Sequence, residues 1–347
     1  MTLKDFYEQL ARTPGLSPLK VARLEEAGLS VEEIARRNAR PEGAKLKCDF
    51  HTPASEDYPR KLLHLKDPPL RLFYRGTSPS RLPYPVVGIV GSRKASRFGL
   101  SLARRLGEIL CRKGATVCSG LARGIDGAAH GGVLQQLDRD PEGAPPLAVL
   151  GHGFGCLHPP EHRELAERVA RHGTLLTEYP PDFAPTKWSF PARNRIIAAL
   201  SDHLVVVEAG RKSGTLYTAE FADQLGRTLW IVPLAPGRPN SEGIHRLWRS
   251  GAEVVHDLEE FAEQVAPSAR LEMGAKNRVA RLCPTKRAIL TILARSEGCT
   301  EPLCRTSELS PVELACHLTE LELDGLIKRE LDGGWQLLCW DLLSELG

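Results

Sequence analysis

Short apolar runs alternate with longer amphipathic stretches through the middle of the chain. The apolar runs are rich in Val, Leu and Ile and lie at 85–91, 115–119, 147–151, 174–178, 203–208, 228–233 and 252–255. Patterns typical of helices fill the intervals, at 96–112, 126–137, 162–172, 193–200, 215–225 and 241–250. Strands that alternate with helices of this length pair in parallel. The pattern therefore predicts an α/β fold with a doubly wound parallel sheet over residues 84–262.

The segments before this core have a different pattern. Residues 1–50 predict a small helical N-terminal domain of the SAM or helix–hairpin–helix kind. The stretch from Pro14 to Lys20 resembles a helix–hairpin–helix turn, which binds a DNA phosphate, but Ser17 stands where a second glycine is expected. DNA contact and a simple packing role both stay open for this domain. Residues 51–83 form a proline-rich connector, predicted to carry one short strand into the core.

The segments after the core predict a linker and a third domain. Residues 263–283 are polar and aperiodic, which is typical of a linker. Residues 284–347 contain helical patterns at 285–295 and 310–324, followed by a hairpin pattern with a Gly333-Gly334 turn. This order predicts a C-terminal winged-helix domain.

The second long helix of that domain has an unusual charge for a DNA reader. It carries Glu313, Glu320, Glu322 and Asp324 and no Lys or Arg. Residues 284–347 together hold six Lys or Arg and eleven Asp or Glu. Since phosphates repel carboxylates, we expect this domain to serve protein contacts, with leucines of the helix packing its own core.

The overall composition limits the classes of function. The chain has 347 residues, 42% hydrophobic content and a formal net charge of +3. No apolar run reaches membrane-spanning length and the N-terminus lacks a signal-peptide pattern, so we expect a cytoplasmic protein without membrane contact. The small net charge does not itself indicate nucleic-acid binding. Any anion site must come from a local concentration of charge.

Such a concentration occurs in four short segments, each of which follows a predicted strand. Each offers cationic side chains or backbone N–H groups at a helix start, which is the chemistry of a phosphate-binding surface. Four such loops on one sheet edge indicate a polyanion. The candidate residues are Ser92, Arg93 and Arg97; Ser119 and Arg123; Arg193, Asn194 and Arg195; and Lys212, Ser213, Gly214 and Thr215.

Aromatic residues lie beside the third segment. Lys187, Trp188 and Phe190 place cations and rings next to one another, which suits single-stranded nucleic acid because bases stack and phosphates pair. For Trp188, a core position is an equal alternative.

Cofactor and metal sites find less support. The segment from Gly88 to Arg93 resembles a dinucleotide fingerprint only loosely, because Ser119 and Gly120 end the second strand in place of a ribose-binding carboxylate. No Gly-Lys-Ser/Thr phosphate loop is present. Asp126 and His130 have metal-capable spacing but lack a third ligand, and the spacing of Cys299, Cys304, Cys316 and His317 fits no common zinc pattern. We expect no cofactor, no metal and no catalytic constellation.

Several segments in order closely resemble the bacterial DNA-processing protein DprA (Smf) family. They are Gly91-Ser92-Arg93; Ser119 to Asp126 with Ala129-His130; Tyr179-Pro180-Pro181; Phe190 to Ile197; and Val207-Glu208-Ala209 with Ser213-Gly214-Thr215. The resemblance implies an extended Rossmann-like core that binds single-stranded DNA and helps to load the recombinase RecA during natural transformation. It also implies a homodimer, a helical N-terminal domain and a C-terminal winged helix.

Carried over by motif, the family's DNA pocket falls on a smaller set of residues. These are Arg93, Lys187, Phe190, Arg193, Asn194 and the loop 212–215. The sequence departs from the family pattern at Leu234, where glycine is usual, and at Ile244-His245, where Thr-Asn is usual. Both departures lie on the late edge of the predicted sheet, so the rim of the pocket is expected to differ there.

The competing function is enzymatic. Glu208, Gly214-Thr215 and Glu220 faintly resemble the glycine-rich loop of nucleotide phosphoribohydrolases, which have a related fold. Ala209 to Ser213 replace the glycines of that loop. We therefore predict a DNA-binding protein rather than an enzyme.

Overall fold

The computed structural model describes residues 50–82, 85–266, 282–295, 309–323, 326–329 and 335–337. The predicted N-terminal domain lies outside these residues apart from Phe50, as do most of the predicted linker and the pair Cys299 and Cys304. The chain divides into two compact units, Met1–Pro267 and Ser268–Gly347. Within the described residues, no helix is both long enough and apolar enough to cross a bilayer.

The first unit is built on a mixed sheet of nine described strands. In chain order they are β1 (Phe50–His51), β2 (Leu72–Gly76), β3 (Val86–Val90), β4 (Thr116–Ser119), β5 (Pro146–Leu150), β6 (Thr174–Thr177), β7 (His203–Val206), β8 (Thr228–Ile231) and β9 (Glu253–Val254). Their spatial order is β1-β2-β6-β5-β4-β3-β7-β8-β9. Strands β3 to β6 are buried at every residue, which explains their unbroken apolar runs.

Seven helices accompany the described strands of this unit. They are α1 (Arg97–Lys113), α2 (Ile125–Arg139), α3 (Arg163–His172), α4 (Ser189–Leu200), α5 (Thr215–Gln224), α6 (Glu242–Arg249) and α7 (Leu258–Val265). The mixed α/β architecture with a mostly parallel sheet confirms the predicted class. Helix α7 was not predicted; it begins after Asp257, whose side chain accepts hydrogen bonds from the backbone N–H groups of Glu259 and Glu260.

The connector contributes more to the sheet than one short strand. Strand β2 pairs antiparallel with β6, and β1 pairs antiparallel with β2, so the sheet is not wholly parallel. Leu62, Leu72 and Tyr58 of this segment are buried in the same hydrophobic core as β3 and α4. Lys61 donates to Asp202 Oδ1 at 2.6 Å, which ties the connector to the turn before β7. These pairings depend on distant partners, and the local sequence pattern does not reveal them.

The strand order creates one topological switch point beside β3. Chain connections run from β3 to β4 on one side, whereas β7 and β8 lie on the other. The loops that follow β3 and β7 therefore diverge, leaving a crevice at the carboxyl ends of the strands.

The second unit has its own small core. Helices α8 (Pro284–Arg295) and α9 (Pro311–Leu323) accompany an antiparallel pair, β10 (Ile327–Arg329) and β11 (Trp335–Leu337). Leu314, Leu318 and Leu321 of α9 are buried in this core, whereas Glu313, Glu320 and Glu322 are exposed. Residues 296–308 lie outside the described part of the chain, so the winged-helix architecture stays a prediction.

Candidate single-strand-binding cleft

A cleft of about 830 Å3 opens at the switch point. It lies between the loops after β3 and β7 and the first turns of α4 and α5. Ten of the fourteen candidate residues line it: Ser92, Arg93, Lys187, Phe190, Arg193, Asn194, Lys212, Ser213, Gly214 and Thr215. The structure therefore brings together candidate residues from three of the four predicted loops, together with Lys187 and Phe190, while the remaining loop contributes Ala122 and Asp126.

The cleft is strongly cationic. Its lining includes Arg93, Lys94, Lys187, Arg193 and Lys212, against a single carboxylate, Asp126. All of these cations except Arg193 are exposed to solvent. A polyanion that entered the cleft would meet several cations held by different loops. The net charge of the whole chain does not reveal such a local cluster.

Helix α4 begins earlier than predicted, and this shift sets the geometry of the cleft wall. The backbone N–H of Thr186 donates to Ser189 Oγ at 3.1 Å, and that of Ser189 donates to Thr186 Oγ1 at 3.2 Å. The helix then starts at Ser189 rather than at 193. Phe190 consequently lies three and four residues before Arg193 and Asn194 on one helical face.

Phe190 presents its ring to a cation of the opposite loop. The guanidinium carbon of Arg93 lies 5.0 Å from the centroid of the Phe190 ring, a cation–π distance. His158 packs against the same ring at 5.7 Å between centroids. The half-buried Phe190 is thus positioned by two neighbours before any ligand binds.

Arg193 lines the cleft but is engaged by the protein itself. Its guanidinium donates to the carbonyl oxygen of Gly120 at 2.8 Å and to that of Val149. Burial lowers the pKa of Arg193 to about 10. Burial also raises the pKa of the Asp126 carboxyl, and the charge of Arg193 opposes that rise. Arg193 thus joins the ends of β4 and β5 to α4 and stabilises a buried carboxylate.

A buried carboxylate, that of Glu208, holds the loop after β3. Glu208 Oε1 accepts from Ser96 Oγ at 2.5 Å, and its Oε2 accepts from the Ser96 backbone N–H at 3.0 Å. Asn240 Nδ2 donates to the same Oε2 at 3.0 Å and to the carbonyl of Lys94 at 3.1 Å. The loops after β3, β7 and β8 are therefore joined by one hydrogen-bond network.

The loop after β7 forms the opposite wall. Ser213 Oγ accepts from the Thr215 backbone N–H at 3.2 Å and donates to Thr215 Oγ1 at 3.0 Å. Lys212 stays exposed, and Asn194 Nδ2 reaches the carbonyl of Gly214 at 3.4 Å. This contact links the second turn of α4 to the residue that immediately precedes α5.

Four candidate residues lie outside the cleft lining. Ser119 is fully buried and donates to the Ile89 carbonyl at 2.6 Å, between neighbouring strands. Arg123 pairs with Glu161 on the surface. Arg195 forms a two-pronged ion pair with Glu178, with both N···O distances at 2.7 Å. Arg97 is exposed in the first turn of α1. A DNA role for these four residues stays a prediction.

Two useful residues of the cleft lining are not among the candidates that the sequence indicates. They are Lys94 and Asn240. Lys94 could have been found, because it follows Arg93 in the same segment. Asn240 adopts a left-handed backbone conformation (φ 61°) in a loop without a recognisable motif. Its role depends on the approach of Glu208 and Lys94, which the sequence pattern does not encode.

The candidate metal pair does not gather further ligands among the described residues. Neither Asp126 with His130 nor Cys316 with His317 belongs to a group of three potential ligands in the part of the chain that the structure describes. Asp126 accepts instead from the backbone N–H of Gly120 at 3.1 Å.

We expect the first unit to lose stability as the pH decreases below 6.5, because of the buried ring of His130. Burial lowers the pKa of this fully buried ring to about 3. The unfolded chain takes up a proton near the ordinary value of 6.5, whereas the folded protein does not, so acid favours unfolding. Between pH 6.5 and 5 the expected loss is about 2 kcal/mol. Urea denaturation of the wild type and of His130→Gln across this range measures it.

Comparison of the wild type with His130→Gln also tests the sign of the expected change in stability with pH. Asp126, with a raised pKa, contributes in the opposite direction, so only the difference between the two proteins isolates His130. Parallel curves of unfolding free energy against pH for wild type and variant would contradict the assignment.

Fold and cleft together define a class: a doubly wound α/β protein with an anion-binding cleft at its switch point. The sequence pattern of the family "DNA recombination-mediator protein A" matches residues 49–266. The protein Smf of Synechocystis sp. is 34% identical over 288 residues, which cover 80% of this chain and 71% of the relative. The chain belongs to the DNA recombination-mediator protein A family, that is, the DprA/Smf family.

Two solved structures support this assignment. DNA processing protein A from Helicobacter pylori, whose single-stranded DNA binding mode has been described, superposes with a TM-score of 0.57 at 27% identity. The similarity covers 65% of this chain and 99% of that one. DprA from Streptococcus pneumoniae gives a TM-score of 0.63 at 27% identity, over 76% of this chain and 99% of that one.

Proposed function

We propose that this protein is a single-stranded DNA-binding recombination mediator and that the cleft at the switch point is its DNA site. The observation that carries the proposal is the convergence of four exposed cations, Arg93, Lys94, Lys187 and Lys212, in one cleft that Phe190 also lines. Phosphates pair with the cations, and an unpaired base stacks on the ring.

A single strand suits this cleft better than a mononucleotide or a duplex. The cations belong to three different segments, so one phosphate group cannot satisfy all of them. Phe190 is half-buried within the cleft, where a base can reach it only after leaving a double helix. The Helicobacter pylori protein, whose single-stranded DNA binding mode has been described, agrees with the choice of a single strand.

The wider role follows from family membership and is proposed with it. We infer that the protein is a homodimer that protects incoming single-stranded DNA in the cytoplasm and helps to load the RecA recombinase during natural transformation. The helical N-terminal and winged-helix domains complete the proposed architecture. These steps require bound DNA to remain accessible to a second protein, which a cleft open to solvent permits.

We propose no catalytic role for the cleft. The two carboxylates of the phosphoribohydrolase alternative do not converge: Glu208 is buried and holds Ser96 and Asn240. Glu220 is exposed on α5, outside the cleft lining, where Arg246 donates to it at 3.3 Å. Incubation with nucleoside monophosphates, followed by analysis for free base, tests this directly.

A salt titration tests the proposed function. Fluorescence anisotropy with single-stranded and duplex oligonucleotides of the same sequence should show tighter binding of the single strand. The logarithm of affinity should fall steeply with the logarithm of salt concentration, by about 0.7 for each phosphate contact. Equal affinity for the duplex, or a response that does not depend on salt, would contradict the proposal.

Removal of the second unit is expected to leave DNA affinity nearly unchanged. The exposed face of α9 carries Glu313, Glu320 and Glu322, which would repel phosphates. A protein lacking residues 284–347 should bind single strands within about threefold of the full chain, less than 1 kcal/mol. A tenfold loss, from a shortened protein that remains folded with the same oligomeric state, would show that this unit contacts DNA.

A further inference from the structure

Trp188 is one of the most exposed large hydrophobic residues among those that the structure describes. Its exposed fraction is 59%, although it immediately precedes α4 and lies between two residues of the cleft lining. Lys187 comes directly before it and Phe190 follows two residues later. The indole therefore lies outside the hydrophobic core, on a segment whose neighbouring residues line the cleft.

The indole is held in place by two other aromatic rings. Tyr179 and Phe183 stack at 4.4 Å between centroids with an interplanar angle of 13°. Trp188 packs nearly perpendicular to both, at 5.9 Å and 74° from Tyr179 and at 5.8 Å and 71° from Phe183. Such edge-to-face contacts are favourable and restrict rotation of the side chain. A large ring surface thus stays open to solvent while its orientation is fixed.

The supporting rings are themselves anchored. Tyr179 is buried, and the backbone of Phe183 donates to the Pro180 carbonyl at 3.0 Å and accepts from the Gly153 N–H at 2.9 Å. Trp188 is therefore part of a preformed aromatic cluster whose other members face the protein. A flexible exposed tryptophan loses conformational entropy when it binds a ligand. Trp188 has lost most of this entropy already in the folded protein.

We propose that Trp188 is a second base-stacking platform, used by an unpaired base next to the one on Phe190. This inference rests on the proposed function, because it takes the cleft to hold a single strand. A single strand is the expected occupant because Trp188 directly follows Lys187 in the chain. A strand whose phosphate pairs with Lys187 passes directly over Trp188 as it leaves the cleft. Alternating cation and ring along the segment 187–190 fits the alternating phosphate and base of a single strand.

The test uses two substitutions at Trp188 in the full-length protein. Trp188→Leu keeps apolar contact with Tyr179 and Phe183 but removes the ring, whereas Trp188→Phe retains a ring. We expect Trp188→Leu to weaken binding of a single-stranded oligonucleotide about tenfold and Trp188→Phe to recover most of that loss. Trp248→Leu, at a tryptophan that is 58% exposed on α6 and outside the cleft lining, is the matched control.

Abasic oligonucleotides separate stacking from a general loss of affinity. Single abasic sites are placed at successive positions of the oligonucleotide. If a base stacks on Trp188, one abasic position should weaken the wild type about as much as Trp188→Leu does. At that position the substitution should have no further effect. If the abasic site and Trp188→Leu each cause their full loss of affinity independently at every position, the proposal is overturned.

Lys187→Ala distinguishes the failure of this inference from failure of the proposed function. If Lys187→Ala weakens binding but Trp188→Leu does not, the cleft binds DNA and the stacking platform is wrong. If neither variant weakens binding, both proposals fall. If Trp188→Leu changes only the sedimentation of the protein and not its DNA affinity, Trp188 belongs to a protein interface and the inference is overturned.

Discussion

Replacing Arg193 with alanine is expected to lower the free energy of unfolding of the first unit by about 3–5 kcal/mol. This loss should exceed any direct effect of the substitution on the free energy of DNA binding. The guanidinium donates to the carbonyls of Gly120 and Val149 within the core. Its removal leaves these acceptors unsatisfied and leaves the buried Asp126 without its neighbouring charge. Urea denaturation monitored by circular dichroism measures the loss.

Asn194→Ala provides the control for this prediction. Asn194 is the next residue of α4, only half-buried, and its side chain makes one long contact, to the Gly214 carbonyl. Its substitution should change stability by less than about 1 kcal/mol. Arg193→Lys should lie between the two, because it keeps the charge but loses the forked donors. An Arg193→Ala protein that is as stable as the wild type and lacks only DNA binding would show that Arg193 serves the ligand.

The double variant Arg93→Ala/Lys187→Ala is expected to weaken single-stranded DNA binding about hundredfold, or about 2.7 kcal/mol, at low salt. Both side chains are exposed cations of the cleft, and Arg93 also contacts the Phe190 ring. The slope of log affinity against log salt should decrease by about 1.4, corresponding to two phosphate contacts. Because neither residue is buried, the melting temperature should change little.

Arg104→Ala/Arg171→Ala removes the same charge elsewhere and controls for net charge. Both arginines are exposed, on α1 and α3, and neither lines the cleft. This control should change affinity less than threefold. A similar loss in both double variants would mean that DNA responds to overall charge and not to the cleft.

Much of the core was predictable because buried parallel strands have a simple pattern. Each of the strands β3 to β8 begins and ends within two residues of a predicted run, because strands covered on both faces are mostly apolar. The connector was harder, because β2 adds to the sheet through pairing with β6, about a hundred residues later. Local sequence carries no record of such a partner.

The start of α4 shows a different limit. The sequence pattern places the start of this helix at 193, after Pro191, whereas Pro191 occupies the third position of a helix that begins at Ser189. Both placements are physically acceptable, because the first four backbone N–H groups of a helix have no partner within it. The side-chain exchange between Thr186 and Ser189 decides between them.

Seven of the fourteen candidate residues are Arg or Lys, and the structure places these cations in different environments. Lys187 and Arg193 have the same charge and lie six residues apart, but one is exposed and the other is buried. The difference comes from carbonyl groups of β5 and of the loop after β4, which no pattern around Arg193 indicates. Charge could be predicted from sequence, but not the direction in which each side chain points.

The antiparallel pair at the start of the first unit has a practical consequence for solubility. Strand β2 covers the edge of β6, whose residues are all buried, and β1 in turn pairs with β2. A shortened protein beginning at Tyr84 would lose both strands and expose a full row of unpaired β6 backbone groups. Open apolar edges of this kind recruit further strands, so such a fragment should aggregate where one that begins at residue 49 does not.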